Sequence, residues 1–285
     1  MSTFLTRMLP LSLATLALGA AACSFGSRPD NFERGLRCLD ERDYPRAIEA
    51  LSRWTHDCPE DEVGWFNLGL AYQDGGNEDK AIEMYSKALE VAPADARSMV
   101  NLATVYESSG QTAKAKDWLM RAVACEETRA YPVAAMAYHC ERFGDAAEAE
   151  AWYLKAVKRE PANALATYRY GAFLLTRERA REALSFLEQS VLSAPDDLPA
   201  LTLAADAAFS AREYRLATQY YERAFFRKRQ MPRRLRNCGE AYLRLGEFRR
   251  AAEYLWLAQD YDPKDSVTPE LLKETYRQLL EQAEK

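Results

Sequence analysis

Seven alanines follow one another at a constant spacing of 34 residues, with no insertion or deletion between them. A constant spacing of this length indicates that one supersecondary unit is repeated, and 34 residues is a period of paired helices. The sequence therefore predicts an all-α fold in which helix pairs stack on one another. The alanines are Ala47, Ala81, Ala115, Ala149, Ala183, Ala217 and Ala251.

Other residues recur in the same register. If each alanine is position 20 of its repeat, the second repeat has large residues at positions 4, 7, 11 and 24 and small ones at 8, 20 and 27. The offsets of the large residues place them on one helical face, and small residues let two helices approach closely. The large residues are Trp65, Leu68, Tyr72 and Tyr85, the small ones are Gly69, Ala81 and Ala88, and Pro93 ends the second helix.

This pattern resembles the tetratricopeptide repeat family over residues 28–265. The second half of the pattern recurs in the fourth repeat as Ala149, Tyr153, Ala156 and Pro161. In the seventh repeat the matching residues are Gly239, Tyr242, Ala251, Leu255, Ala258 and Pro263. The resemblance implies a right-handed superhelical solenoid of seven helix-turn-helix repeats. Their expected bounds are 28–61, 62–95, 96–129, 130–163, 164–197, 198–231 and 232–265.

The pattern weakens in three repeats. The first has Asn31 and Arg34 at positions 4 and 7, which suits a terminal repeat with no preceding neighbour, and Trp54 at position 27 in place of alanine. The third and sixth repeats have Glu127 and Arg229 where proline is expected. The sixth is predicted to be the loosest, because its positions 7, 8 and 11 are Ala204, Ala205 and Ala208.

A single helix is predicted after the last repeat, over residues 267–284. Thr268-Pro269-Glu270 is a helix-start signal. The apolar residues that follow share one face, which is expected to cover the last helix pair with charges turned to water. These residues are Leu271, Leu272, Tyr276, Leu279 and Leu280.

The first 22 residues are predicted to lie outside the fold. Arg7 precedes an uncharged stretch, Met8–Ala22, that is too short for a membrane span of about 20 residues. The stretch ends in small residues before Cys23 and so resembles a bacterial lipoprotein signal. That resemblance implies a signal peptide over 1–22, acylation of Cys23 by fatty acids such as palmitate, and a tether over 23–30. An ordinary secretory signal cut after an A-x-A site is the alternative.

Ser24 follows the cysteine, and by resemblance to Gram-negative lipoproteins this residue implies a location at the periplasmic face of the outer membrane.

The formal net charge of −5 is unevenly distributed, with acidic residues in excess early in the chain and basic residues in excess late in the chain. Basic residues at one turn between repeats could steer an acidic partner, or be ordinary solvated surface. Nucleic acid is not an expected partner of an exported protein. The basic patch comprises Arg227, Lys228, Arg229, Arg233, Arg234 and Arg236.

No pattern in the chain points to catalysis. The two histidines, His56 and His139, lie in different repeats, and His139 with the adjacent Cys140 cannot form a metal pair because neighbouring helix positions diverge. Motifs for a nucleophilic serine, a phosphate loop or a zinc protease do not occur. The sequence predicts neither an enzyme nor a bound cofactor or metal.

The family resemblance places a concave groove on the first helices, at positions 2, 5, 6, 9, 12 and 13 of each repeat. We expect an extended partner segment there, with Asn67 and Asn101 pairing with its backbone, since an amide side chain both donates and accepts. Alternatively, these residues are plain polar surface, or the aromatic ones pack between helices. The Lys/Asn/Arg set needed to clamp a free C-terminus is incomplete. The predicted groove residues are Phe66, Asn67, Leu70, Arg97, Asn101, Thr104, Tyr131, Tyr138, Arg142, Tyr168 and Arg169.

The predicted function is a non-catalytic adaptor, lipid-anchored in the bacterial envelope, that binds envelope proteins. The segment Tyr168–Leu174 resembles a stretch of the pilotins, lipoproteins with the same repeats that help the secretin ring of a type IV pilus to insert. A pilotin-like assembly factor for a pilus or secretion secretin is therefore one alternative, and a scaffold for peptidoglycan hydrolases is another. A third is capture of a glycan or small ligand on Tyr131, Tyr138 and Tyr168.

Overall fold

The computed structural model describes residues 30–126, 129–228 and 230–284. The expected signal peptide, Cys23 and most of the tether lie outside the described residues. Within them the structure is entirely helical, so the prediction of an all-α fold of repeated helix pairs is confirmed. The helices are α1 (Asp30–Asp40), α2 (Tyr44–Asp57), α3 (Glu62–Asp74), α4 (Glu78–Val91), α5 (Ala96–Ser108), α6 (Thr112–Cys125), α7 (Ala130–Phe143), α8 (Ala146–Arg159), α9 (Ala164–Thr176), α10 (Ala180–Ser193), α11 (Leu198–Ser210), α12 (Tyr214–Arg227), α13 (Pro232–Arg244), α14 (Phe248–Tyr261) and α15 (Val267–Ala283).

The chain divides into two compact units, Met1–Trp152 and Tyr153–Lys285, which are called the N-terminal and C-terminal units below. In the N-terminal unit each of the helices α1 to α6 packs against the helix that follows it. In the C-terminal unit the same holds for α9 to α14. First helices of successive repeats also touch, as α5 touches α7 and α11 touches α13.

The alanines at position 20 are buried as the repeat pattern requires, since all seven have no exposed surface. The glycines at position 8 show why small residues recur there. A Cβ at Gly35 would lie 2.6 Å from Leu51 of the partner helix, and one at Gly171 would lie 2.5 Å from Leu187. Leu51 and Leu187 both hold position 24. The side chain at position 24 therefore fills the gap left at position 8, which fixes how closely the two helices pair.

Trp54 is accommodated at position 27, where five of the other six repeats have alanine and the fifth has Ser190, because the next helix has a glycine beside it. A Cβ at Gly64 on α3 would lie 2.6 Å from the Trp54 ring. The indole Nε1 donates a hydrogen bond to Asp61 over 2.5 Å, and the ring lies 5.3 Å from that of Phe32. Because Trp54 is only 6% exposed, the first repeat has a larger aromatic core than the pattern alone indicates.

Side-chain caps begin the first helices at most, but not all, junctions between repeats. Asp61 and Asp95 accept backbone hydrogen bonds at the starts of α3 and α5, and Asp197 does so at the start of α11. Such caps satisfy donors that the helix leaves unpaired. Arg129 before α7 and Met231 before α13 form no such bond. The two junctions without this cap follow the third and sixth repeats, which also lack proline.

In six of the seven helix pairs the turn places its residue at position 15 in the left-handed region, whereas Gly144 of the fourth repeat has a φ of −122°. Gly76, Gly110 and Gly246 have φ values of 81°, 75° and 76° there. Glu178 and Arg212 adopt φ values of 59° and 64° at the equivalent position, although residues with a Cβ disfavour this region. The same holds for Arg42 in the first repeat, with a φ of 61°, so the turns of the first, fifth and sixth repeats carry local backbone strain that glycine avoids.

The helix α15 follows the last pair and packs mainly on α14. Its buried residues are Thr268 and Thr275, whereas Tyr276 is 46% and Leu280 66% exposed. The apolar stripe predicted for this helix is therefore only partly covered. In the sixth repeat Ala204, Ala205 and Ala208 are fully buried, and its predicted looseness stays a prediction.

Candidate functional site

The two asparagines of the predicted groove are buried in the N-terminal unit. Asn67 is 5% exposed, and its side-chain amide donates to the Val63 carbonyl over 2.8 Å. Asn101 is 3% exposed and shares a hydrogen bond with the hydroxyl of Tyr85 on α4. To hold the backbone of a partner, both side-chain amides would have to give up these internal hydrogen bonds and form new ones with the partner.

Tyr85 links the two helices of the second repeat behind the groove positions. Its hydroxyl donates to Gln73 on α3 over 2.7 Å, while the ring fills the gap at Gly69. Burial raises the pKa of Tyr85 well above its usual range, and the nearby carboxylate of Asp74 acts in the same direction. This tyrosine is therefore a neutral hydrogen-bonding element of the core.

Three charged or titratable side chains meet where α5 faces α7. One carboxylate oxygen of Glu107 lies 2.7 Å from Nδ1 of His139, and the other accepts from Nη1 of Arg142 over 2.9 Å. The side chains of Glu107 and His139 are each 5% exposed, whereas that of Arg142 is 43% exposed. A buried carboxylate thus holds an arginine whose outer part reaches solvent, and hydrogen bonds to charged groups are among the stronger ones.

Aromatic rings flank the two arginines predicted for the groove of this unit. The guanidinium carbon of Arg142 lies 4.6 Å from the ring centre of Phe143 and 5.6 Å from that of Tyr138. The guanidinium of Arg97 lies 5.3 Å from the Phe66 ring. Arg97 also donates to the Asp95 carboxylate over 3.0 Å. Each arginine is therefore held both by a carboxylate and by a ring face, an arrangement that favours cations.

The other predicted groove residues of this unit are half-buried. Thr104 donates its hydroxyl to the Val100 carbonyl over 3.0 Å, and Leu70 and Tyr131 are partly exposed. Glu107 and Phe143 are not among the predicted groove residues. Glu107 holds position 12, which belongs to the groove set, so the repeat register could have identified it. Phe143 has no such signal, because it follows the last groove position.

In the C-terminal unit, Tyr168 and Arg169 are half-buried on α9. Burial is the largest influence on Tyr168 and raises its pKa. On α11, the Asp206 carboxylate accepts two hydrogen bonds from Arg234, of 3.1 and 2.9 Å, and one from the Tyr221 hydroxyl of 2.8 Å. The donors of Arg234 are therefore directed inward, toward a carboxylate of its own unit.

Three of the five described members of the predicted basic patch are paired with carboxylates. Besides Arg234, Arg236 binds both oxygens of Asp265 over 3.0 and 3.1 Å. Arg227 lies 2.5 Å from Asp196. The remaining described members, Lys228 and Arg233, are exposed, and Arg229 lies outside the described residues. The structure therefore does not present these side chains as a single surface of unpaired cations.

Within the described residues, no group of three or more His, Cys, Asp and Glu side chains is placed to hold a metal ion. No helix in the same part of the chain has both the length and the apolar character needed to cross a bilayer.

Comparison with known proteins agrees with the repeat geometry. A family model described as tetratricopeptide repeat matches residues 61–127. This segment therefore consists of tetratricopeptide repeats, and the helix pairs before and after it keep the same 34-residue register. In this family the fold is typically an interaction scaffold without catalytic activity, and its partners are proteins. Among curated proteins, none has a sequence that matches significantly.

Several solved structures share the fold of this protein at low sequence identity. PilF of Pseudomonas aeruginosa has a TM-score of 0.59 and 22% identity, over 79% of this chain and 97% of that one. PilW, a widely conserved type IV pilus biogenesis factor, has a TM-score of 0.56 and 20% identity, over 74% and 98%. A chain of the APC/C Cut9–Hcn1 hetero-tetramer has 0.58 and 13%, over 81% of this chain and 48% of that chain. Since this chain spans about half of the latter's length, and all identities are low, the likeness shows the fold alone.

Proposed function

We propose that this protein is a non-catalytic adaptor whose N-terminal unit binds an extended segment of a partner protein. The binding face consists of Phe66, Arg97, Tyr138 and Arg142, and is called the arginine–aromatic face. The observation that carries the proposal is the buried Glu107, which holds Arg142 while leaving it 43% exposed. A fixed, partly exposed guanidinium flanked by rings is suited to recognition, because little side-chain entropy is lost on binding.

The partner chemistry follows from the donors that this face offers. A guanidinium carries five N–H groups in a planar fork, and one of those of Arg142 is used by Glu107. Carbonyl and carboxylate oxygens of an extended segment would accept the others. The half-buried rings of Phe66 and Tyr138 add rigid apolar area beside them. If the protein instead captured a glycan, Tyr131 and Tyr138 would be the residues of this unit that contact it.

We further propose that the protein is anchored by acylated Cys23 in the bacterial envelope, at the periplasmic face of the outer membrane. The lipoprotein-like sequence before Cys23 supports this placement. Within that class, a pilotin-like assembly role is the more specific candidate. Its support is the resemblance of Tyr168–Leu174 to pilotins, together with a shared fold that extends over 98% of PilW.

The binding face is tested by placing a photo-crosslinking amino acid at Tyr138 in cells, with a control at Trp256. Trp256 is 62% exposed on α14 in the other unit. We expect Tyr138 to capture a defined envelope protein that Trp256 does not, and we expect Arg142→Ala to abolish that capture. Arg121→Ala is the matched control, since Arg121 stacks 3.9 Å from the Trp118 ring on a second helix of the same unit. Equal capture by the Arg142→Ala chain would remove this face from consideration.

The anchor is tested separately by Cys23→Ser and metabolic labelling with palmitate. We expect the natural chain to be labelled and to sediment with outer membranes, and the substituted chain to lose both properties. Unlabelled natural chain in the soluble fraction would support the ordinary secretory signal instead. This result would leave the binding face untouched, because the two proposals rest on different residues.

A further inference from the structure

Two of the most exposed apolar side chains in the described residues hold the same position in successive repeats. Leu192 on α10 is 73% exposed, and Phe226 on α12 is 91% exposed. Both are at position 29, one residue before the end of the second helix. The other five repeats have polar, charged or small residues there, namely His56, Glu90, Ala124, Lys158 and Asp260.

Basic side chains tie the ends of these two helices together. Nη2 of Arg227 lies 2.5 Å from the Asp196 carboxylate in the loop after α10. Nη2 of Arg223 donates to the Pro195 carbonyl in the same loop over 2.9 Å. Since both arginines belong to the last turn or two of α12, these contacts place Leu192 and Phe226 on one edge of the C-terminal unit. We call this surface the helix-end edge.

The helix-end edge carries positive charge. Arg223 is bound to a carbonyl, which leaves its charge uncompensated, and Lys228 is exposed immediately after α12. Among the carboxylates that the structure describes, none forms an ion pair with Arg223 or Lys228. Asp196, which pairs with Arg227, is itself 81% exposed. Counted as Arg223, Arg227 and Lys228 against Asp196 and Asp197 of the loop, the edge has one more cation than anions beside its protruding apolar side chains.

We infer that the helix-end edge docks on an anionic phospholipid surface. Exposed aromatic and aliphatic side chains beside Lys and Arg are the composition of peripheral membrane contacts, in which the apolar groups enter the headgroup boundary. The cations are attracted to anionic lipids. A protein partner would be expected to meet clustered apolar groups that exclude water as a set. Leu192 and Phe226 instead protrude singly into solvent. Such side chains suit a lipid surface, which offers no fixed pockets.

This proposal does not depend on the arginine–aromatic face, because the two surfaces share no residues. It concerns the C-terminal unit alone and adds a membrane contact that the N-terminal anchor would not supply. If Cys23 is acylated, the bilayer is at high effective concentration, and even a weak contact would be populated.

The experiment uses the full chain with Leu13→Asp and Leu16→Asp, so that the apolar stretch Met8–Ala22 does not insert by itself. Binding is measured by co-sedimentation with vesicles of pure phosphatidylglycerol and with vesicles of pure phosphatidylcholine. The variant Phe226→Ser with Leu192→Ser removes the apolar contacts. Leu280→Ser is the matched control, since Leu280 is 66% exposed on α15 outside the edge. Arg223→Gln with Lys228→Gln removes two charges.

We expect binding to phosphatidylglycerol and little to phosphatidylcholine. Loss of Phe226 and Leu192 should weaken binding at least about tenfold, as burial of two apolar side chains implies. Loss of the two charges should weaken it and flatten its salt dependence, and Leu280→Ser should change nothing. Equal binding to both lipids, no binding to phosphatidylglycerol, or retention by the Phe226/Leu192 variant would overturn the proposal. Loss of a crosslinked protein partner by that same variant, without any vesicle binding, would assign the edge to a protein instead.

Discussion

The first-helix faces of the two units use arginine in different ways. In the N-terminal unit, the buried Glu107 accepts one hydrogen bond from Arg142, which remains 43% exposed beside aromatic rings. In the C-terminal unit, the Asp206 carboxylate takes two hydrogen bonds from Arg234 and one from Tyr221. The repeat register is the same in both, so the difference lies in polar positions that the packing leaves variable. Arg142 therefore keeps donors that face solvent, whereas the donors of Arg234 bind a carboxylate within its own unit.

The largest predicted effect tests what the two units share. Ala81→Leu in the N-terminal unit and Ala217→Leu in the C-terminal unit should each lower the free energy of unfolding by about 3 kcal/mol, because a fully buried site has no room for a larger side chain. Urea unfolding would measure both. Ala113→Leu, at an exposed site on α6, should change stability little. If Ala81→Leu leaves the free energy of unfolding unchanged, close packing at this site is refuted.

The second prediction sharpens the contrast between the arginines. Arg234→Ala should lower the free energy of unfolding by about 1–3 kcal/mol, since it leaves Asp206 without its charged donor. Arg142→Ala should cost less, about 1 kcal/mol, because its side chain is 43% exposed and Glu107 keeps its contact with His139. Thermal unfolding of both variants would check the order. A larger loss for Arg142→Ala would mean that this arginine is mainly structural.

The third prediction compares junctions with and without a side-chain cap. Asp95→Ala at the start of α5 should lower the free energy of unfolding by about 1 kcal/mol. Met231→Asp at the start of α13, where no such cap exists, should raise it by up to about 1 kcal/mol. Chemical denaturation of the two variants measures the changes. Destabilisation by Met231→Asp would show that another interaction already satisfies that helix start.

The smallest predicted effect concerns the turns at position 15. Arg212→Gly should stabilise the C-terminal unit by about 0.5–1 kcal/mol, since glycine adopts the observed φ of 64° without a steric penalty. Gly110→Ala in the N-terminal unit should have the opposite sign, because its φ is 75°. Differential scanning calorimetry would resolve both shifts. If Arg212→Gly destabilises the protein, the arginine side chain makes a compensating contact.

Much of the fold could be predicted because one short pattern repeats in phase. The buried alanines and the gap at Gly35 follow from local helix geometry and needed no knowledge of distant contacts. The accommodation of Trp54 could not be predicted, since it depends on Gly64 in a different helix. For the same reason the sequence did not reveal the Glu107–His139–Arg142 cluster, whose members meet only when first helices of neighbouring repeats pack together. The burial of Asn67 also depends on that packing.

The central claim is that the residue at position 24 fills a gap left at position 8, which fixes the helix pair and thereby the face that the first helices present. A double-mutant cycle on Gly35→Ala and Leu51→Ala tests it directly. The three atoms nearest to a Cβ at Gly35 all belong to the Leu51 side chain, the closest at 2.6 Å. We predict that the double variant loses at least about 1 kcal/mol less stability than the sum of the single variants. Additivity within a few tenths of a kcal/mol would contradict the account.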